Sequence, residues 1–284
     1  GDIAANLATK QAQKHMPGIT DVMMAEAERL QGLTNSLRAV RLAGLNAALT
    51  LARSGVGVIV VDAVQPGWGA SGRNGGFCCI GGTKLSDNET ISRVGIEGAR
   101  DLRRWQVAAI DHVGSLIDGA GIDARQGPHG EAYLAPSPEA YASLQSEADA
   151  EERLYGSRPD VIPKAALREH GLDGPGFHGA LFGTAGFPLH PMVYVEGLAS
   201  LVRIAGATIF ANSPVTGLCR DGSGWRIATP QGEVRARRVL IATNGYSSED
   251  LPRWLAGRTL PVMSSILGTR PVTVTKRAEQ GFTS

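Results

Sequence analysis

The 284-residue sequence is poor in the features that mark several large protein classes. It holds three cysteines, Cys78, Cys79 and Cys219, two of them adjacent. An odd count with a neighbouring pair makes a poor disulfide framework. No Cys/His spacing matches a zinc site, so no metal is expected. Neither sign of charge dominates: the formal net charge is +1, which leaves no basic footprint for nucleic acid. No apolar run reaches the roughly 18 residues that a membrane helix needs, so no membrane span is expected. The stretch from Gly1 to Lys14 is polar and alanine-rich and lacks the apolar centre of a secretory signal. These absences predict a soluble, cytoplasmic protein. No Ser/His/Asp or Cys/His set can be argued from spacing, so nucleophilic hydrolysis has no support.

What is present is apolar residues, at 43%, and glycine, at 37 residues. Residues 45–54 (LNAALTLARS) carry Ala and Leu on a helical period, and Gly55 is placed to end that helix. Val56 to Val61 (VGVIVV) is a continuous apolar run, expected as a strand buried on both faces, with Asp62 at its end. Residues 89–119 read as a helix with Leu102, Trp105, Ala109, Val113, Leu116 and Ile117 on its core face. Strands are expected at Glu131–Ala135, Ala207–Phe210, Pro214–Leu218 and Arg238–Ala242, and a hairpin is expected around Gln231-Gly232. Helices are expected at Pro138–Leu154, Pro163–His170 and Val193–Ala205. The whole is a mixed α/β pattern.

A helix, a tight glycine, an apolar strand and then an acid form the second half of a dinucleotide-binding βαβ unit. The acid sits where it can accept hydrogen bonds from ribose hydroxyls. Such a unit opens with a strand and G-x-G-x-x-G, whose glycines let backbone N–H groups approach a pyrophosphate. Here the six positions are Ala39, Val40, Arg41, Leu42, Ala43 and Gly44, so only the last glycine is present. Leu33–Arg38 ahead of them is a poor buried strand. The residues alone therefore leave another α/β fold open. The next segment, Gly67–Gly76 (GWGASGRNGG), holds five glycines with Ser71, Arg73 and Asn74. Such a loop suits backbone N–H groups and short side chains lying against an anion or a flat ring, with Arg73 able to fork onto phosphate. A flexible surface loop is the plainer alternative.

DAVQPGWGASGRNGGF (Asp62–Phe77) resembles the loop after the second strand in FAD-dependent oxidoreductases of the D-amino-acid oxidase family, in the gamma-glutamylputrescine oxidase-like and glycine oxidase-like branch. Three later segments resemble the same family in the same order: Leu189–Ala199 (LHPMVYVEGLA), Ala207–Leu218 (ATIFANSPVTGL) and Val234–Tyr246 (VRARRVLIATNGY). The resemblance covers about residues 44–284. It implies FAD as cofactor and a small-molecule amine or amino acid as substrate. It implies that Asp62 binds the adenosine ribose and that Ala70, Ser71, Gly72, Arg73, Asn74, Gly75 and Gly76 line the cofactor. Val215 would meet the adenine by its backbone, and Ala242, Thr243, Asn244 and Gly245 would lie near the pyrophosphate. Gly44 is kept as the last glycine of the phosphate loop. No catalytic residue is named.

The expected architecture is a Rossmann-like FAD-binding domain interleaved with a mixed α+β substrate domain, incomplete in this chain. Residues 1–32 would be a leader, with 1–43 foreign to the fold. Residues 33–90 and 190–250 would form the FAD part. Residues 91–189 would form the substrate part, which restarts at 251–284. The expected activity is oxidation of a C–N bond with hydride transfer to the flavin. An inactive remnant that binds no flavin stands beside it, because the first two loop glycines are absent. A nicotinamide dehydrogenase shares the βαβ unit, but GASGRNGG and RVLIATNG argue against it. Cys78 and Cys79 are expected to be small buried thiols, with a covalent flavin–cysteine bond as the alternative. His190 is expected to cap or pack, and Asp149, Glu151 and Glu152 to form a solvated helix face.

Overall fold

The computed structural model describes residues 40–81, 85–247, 251–258 and 271–279. The expected strand at Leu33–Arg38, the leader and Ala39 lie outside the described residues. The chain divides into two compact units. Described residues of the first are 40–75, Ser115–Ala124 and those from His190 to 258. Those of the second are Gly76–Gly114, Arg125–Leu189 and 271–279.

In the first unit, helix α1 runs from Val40 to Arg53. It buries Leu42, Leu45, Asn46 and Leu49, the spacing of one helical face. Its end is a Schellman turn: Gly55, with φ +78°, donates to the Ala52 carbonyl, and Val56 donates to that of Leu51. Strand β1 follows at Ile59–Val61. It pairs in parallel with the later strand Thr208–Phe210, Ile59 opposite Thr208. Between them in sequence lies the helix Pro191–Ile204, which packs on α1. That helix begins at His190, whose Nδ1 accepts from the Val193 N–H at 3.3 Å, with Pro191 at its first position. It buries Tyr194, Val195, Leu198, Ala199 and Val202. The unit continues into a three-stranded antiparallel meander, Gly217–Asp221, Gly224–Thr229 and Gly232–Ala236.

The second unit contains strand β2 (Phe77–Cys78), paired antiparallel with Phe187–Pro188. It also contains a three-stranded antiparallel sheet in which Gly179–Gly183 lies between Glu131–Leu134 and Asp160–Pro163. Ile162, Leu167 and Ala180 form the core against this sheet, with Leu134, Leu172, Phe177 and Phe182 around them. The helix Pro138–Tyr155 starts on Ser137, whose Oγ accepts from the Ala140 N–H at 3.1 Å. It ends at Gly156 in the left-handed region, φ +77°. It buries Leu144 and Ala148. The helix Asp87–Ala120 is interrupted at Gly95, with φ +76° and ψ 169°.

Several expectations need correction. The strand expected at 56–61 shortens to Ile59–Val61, and Ile59 is 49% exposed. Its one ladder among the described residues is with Thr208–Phe210, and its three residues are exposed or half-buried rather than buried on both faces. Arg238–Ala242 forms no ladder among the described residues, and Leu240 is 62% exposed. A strand is defined by its partner, which an apolar run alone does not supply. The strand expected at Pro214–Leu218 forms three residues later, because the tight turn at Gly222 fixes the register of the meander. Pro163–His170 is a short 3-10 turn and further turns in place of a helix. Trp105 is 46% exposed. Ala109, Val113, Leu116 and Ile117 are buried as expected, and Gln106, about 100° round the helix, is buried in place of Trp105. Glu151, Asp149 and Glu152 are ion-paired, with Arg103 at 2.8 Å for the first and with Arg158 at 2.6 and 2.7 Å for the others.

Leu144 is fully buried, so Leu144→Ala is expected to cost about 2–5 kcal/mol in urea denaturation. Ser137→Ala, which removes the helix cap alone, is expected to cost about 1 kcal/mol.

Candidate functional site

The parallel pair places Asp62 at the carboxyl end of its strand, where open α/β sheets bind ligands. The ladder runs past the strand: the Asp62 N–H donates to the Phe210 carbonyl at 2.9 Å, and the Ser213 N–H donates to the Asp62 carbonyl at 2.8 Å. Asn212, with φ +51°, donates from its backbone to the Val64 carbonyl at 2.5 Å. One carboxylate oxygen of Asp62 accepts from the Val64 N–H at 3.0 Å. This is an Asx turn, and it starts the chain on its way to the glycine loop. Val215 follows two residues after Ser213, ahead of Thr216, whose N–H donates to the Ala228 carbonyl at 2.8 Å.

Gly67–Gly76 is a compact run of turns. The Trp68 N–H donates to the Gln65 carbonyl, the Gly72 N–H to that of Gly69, and the Arg73 N–H to that of Ala70. The Asn74 side-chain amide closes the loop on the carbonyls of Ala70 (3.1 Å) and Ser71 (2.9 Å). The glycines are explained by contacts within the protein. A Cβ at Gly67 would lie 2.6 Å from the Met192 sulfur. One at Gly69 would lie 3.1 Å from the Tyr246 ring. One at Gly72 would strike the Gly67 carbonyl oxygen and come 2.6 Å from the same sulfur. Met192 and Tyr246 are therefore parts of the candidate site that the residue pattern did not single out. Met192 and Tyr246 lie inside the motifs Leu189–Ala199 and Val234–Tyr246, but nothing in their spacing says that they touch glycines.

Ser71 stands apart. It is 1% exposed, and its Oγ has no hydrogen-bond partner among the described residues. A buried hydroxyl without a partner costs about 1–3 kcal/mol, so it marks a place where a polar group belongs. Gly44 provides the other sign of a built site. A Cβ there would lie 3.2 Å from that of Ala242, so the glycine lets α1 approach the 242–245 segment closely. After Ala242, the Tyr246 N–H donates to the Thr243 carbonyl at 3.0 Å, and the Thr243 and Ser247 hydroxyls lie 2.7 Å apart. Asn244–Tyr246 is a 3-10 turn in which Gly245 is exposed. At the start of α1 the first backbone N–H groups have no intrahelical acceptor and face outward with the positive end of the helix dipole.

The first unit thus brings Gly44 to Ala242, and it brings Trp68 and Gly69 of the loop to Tyr246. Gly75 closes that unit's share of the loop. Gly76, with φ +73°, belongs to the second unit, where its carbonyl accepts from the Leu189 N–H at 2.8 Å.

Comparison with known proteins decides the family. The family model described as "FAD dependent oxidoreductase" (DAO) matches residues 42–283. The chain belongs to the DAO family of FAD-dependent oxidoreductases. It is 30% identical over 233 residues to a probable oxidoreductase, OrdL, of Haemophilus influenzae, covering 81% of this chain and 53% of that protein. It is 28% identical over 227 residues to gamma-glutamylputrescine oxidoreductase of Escherichia coli, covering 80% and 52%. The chain spans about half the length of these DAO relatives. In fold it resembles the glycine oxidase of Geobacillus kaustophilus, with TM-score 0.56 and 22% identity over 72% of this chain and 53% of that one. FAD is the cofactor of the DAO family, and the buried Ser71 hydroxyl, the Gly44–Ala242 approach and the placement of Asp62 fit such a group. Among the described residues no group of three or more His, Cys, Asp or Glu is arranged to hold a metal, and no helix is long and apolar enough to cross a membrane.

Cys78 is fully buried, and burial followed by the neighbouring Cys79 pushes its thiol up from 9.0 to about 12. It is a protonated thiol at neutral pH and a poor nucleophile. Its raised value stabilises the fold fully below about pH 9, and this contribution is lost as pH rises toward about 12. The urea midpoint of the wild type is therefore expected to fall across that window more steeply than that of Cys78→Ala. In the loop, Gly72→Ala is expected to cost about 1–3 kcal/mol in the same assay. Gly57→Ala, at an open position, is expected to be nearly neutral.

Proposed function

We propose that this chain binds FAD in the first unit and takes part in oxidising the C–N bond of an amine or amino acid. The observation that carries the reading is the Ser71 hydroxyl, buried and without a partner among the described residues in the glycine loop that follows Asp62. Asp62 would hold the adenosine ribose, the backbone at Val215 the adenine, and Ala70, Ser71, Gly72, Arg73, Asn74, Gly75 and Gly76 the cofactor's length. Gly44 and the segment Ala242, Thr243, Asn244 and Gly245 would lie by the pyrophosphate, beside the N-terminus of α1. FAD held by these residues would supply the redox chemistry, that of a hydride acceptor in C–N oxidation. The protein's own residues bind, orient and exclude water. The names of the relatives, gamma-glutamylputrescine oxidoreductase and glycine oxidase, support a small amine or amino-acid substrate. The first unit is read as the FAD part and the second as the substrate part.

A second reading is favoured by one observation. Helix α1 already begins at Val40, and the sequence has Ala39 and Arg41 where a phosphate loop has its first two glycines. On that reading the fold persists without binding flavin. Purified protein is mixed with FAD, desalted and scanned for absorbance. Retained flavin colour is expected, with Ser71→Ala weakening affinity about tenfold or more, the worth of one hydrogen bond to a charged group. A colourless wild type that is folded by circular dichroism would rule flavin binding out.

A further inference from the structure

The Arg73 side chain is exposed, and among the described residues it makes no salt bridge, yet it is not loose. Its guanidinium carbon lies 4.7 Å from the centroid of the Trp68 ring. The Trp68 ring in turn meets that of Tyr246, centroid to centroid at 6.4 Å and tilted by 58°. Tyr246 also packs on the backbone at Gly69, where any side chain would press on its ring. The three residues come from two separate stretches of the first unit, the glycine loop and the 3-10 turn Asn244–Tyr246. Both aromatic rings are about half exposed, at 44% for Trp68 and 51% for Tyr246. Rings this exposed add little to a core, so burial does not account for their arrangement.

A guanidinium over an indole face is attracted by the ring's quadrupole, and its N–H donors stay at the rim and remain available. A long side chain tethered in this way loses less freedom when an anion arrives, so it binds more tightly than a free one. We propose that Trp68 and Tyr246 are positioning residues: they hold Arg73 so that its guanidinium meets a phosphoryl anion of the bound dinucleotide. The anion is supplied by the flavin reading above, on which this inference rests. The tether itself is a property of the protein without cofactor. It also ties the loop to the turn that follows Ala242, so the two stretches assigned to the cofactor are held as one piece.

The test has a flavin-free arm and a flavin arm. In the first, trypsin cleavage at Arg73–Asn74 is timed by mass spectrometry against cleavage at other sites. Trp68→Leu is expected to speed that cut about fivefold, the scale of an exposed cation–π contact, while Trp68→Phe, which keeps an aromatic face, stays near the wild type. Tyr246→Leu, on the far side of the indole, is expected to act in the same direction and serves if Trp68→Leu fails to fold. In the second arm FAD affinity is measured. Trp68→Leu and Arg73→Leu are each expected to weaken it about fivefold to tenfold, and the double variant no more than Arg73→Leu alone. An unchanged cut at Arg73, or losses that add in the double variant, would overturn the proposal. A wild type that binds no FAD while Trp68→Leu still speeds the cut overturns the flavin reading and supports the tether.

Discussion

The parallel pairing of Ile59–Val61 with Thr208–Phe210 is the constraint on which the first unit depends. It joins stretches of chain that are far apart in sequence, and its ladder continues through Asp62, Val64, Asn212 and Ser213. Slipping that register by one residue would turn every side chain to the other face. Asp62 would then leave the strand end, and the glycine loop would start from a different place. The packing of α1 on the helix Pro191–Ile204 follows from the same pairing, since each helix is joined to one of the two strands by a short turn at a glycine, Gly55 and Gly206.

The glycine loop shows how a candidate binding segment can be shaped by contacts within the protein. Gly67, Gly69 and Gly72 leave room for Met192, Tyr246 and the loop's own backbone. The loop's shape is thus set by contacts that exist before any cofactor arrives. Within this frame Ser71 is buried with a hydroxyl that no described group accepts from or donates to, and Arg73 is exposed but held on Trp68. Preorganisation of this kind lowers the entropy lost on binding.

In the second unit, charges bind elements together. Arg103 pairs with Glu151 and lies over Tyr155, at 4.2 Å from the ring centroid. Arg100 donates to the Leu154 carbonyl at 2.9 Å. Tyr155 donates to Asp87 at 2.5 Å, and its phenol is pushed up to about 12 by burial first and by that carboxylate next. These contacts dock the end of the helix Pro138–Tyr155 on the helix that starts at Asp87. Of the acidic run, Asp149 and Glu152 stay solvent-facing as expected, and Glu151 alone reaches the neighbouring helix.

Local chemistry alone determined much of this protein. Helix α1 with its glycine stop, the acid after β1, the capping role of His190 and the hairpin around Gly232 all follow from backbone preference and periodicity over a few residues. The motif order, read as a resemblance, pointed to the DAO family and its cofactor. Tertiary structure decided the rest, because the deciding partners lie far away in sequence. The apolar runs at 56–61 and 238–242 read as strands, the first buried on both faces, but pairing and burial depend on neighbours that periodicity cannot name. Trp105 fell off the core face because the stripe turned on Gln106, whose amide donates to the Gly81 carbonyl at 2.5 Å. The loop glycines looked like room for a ligand, and only the fold placed Met192 and Tyr246 against them. A sequence specifies what each residue can do locally, and which residues meet is settled by packing.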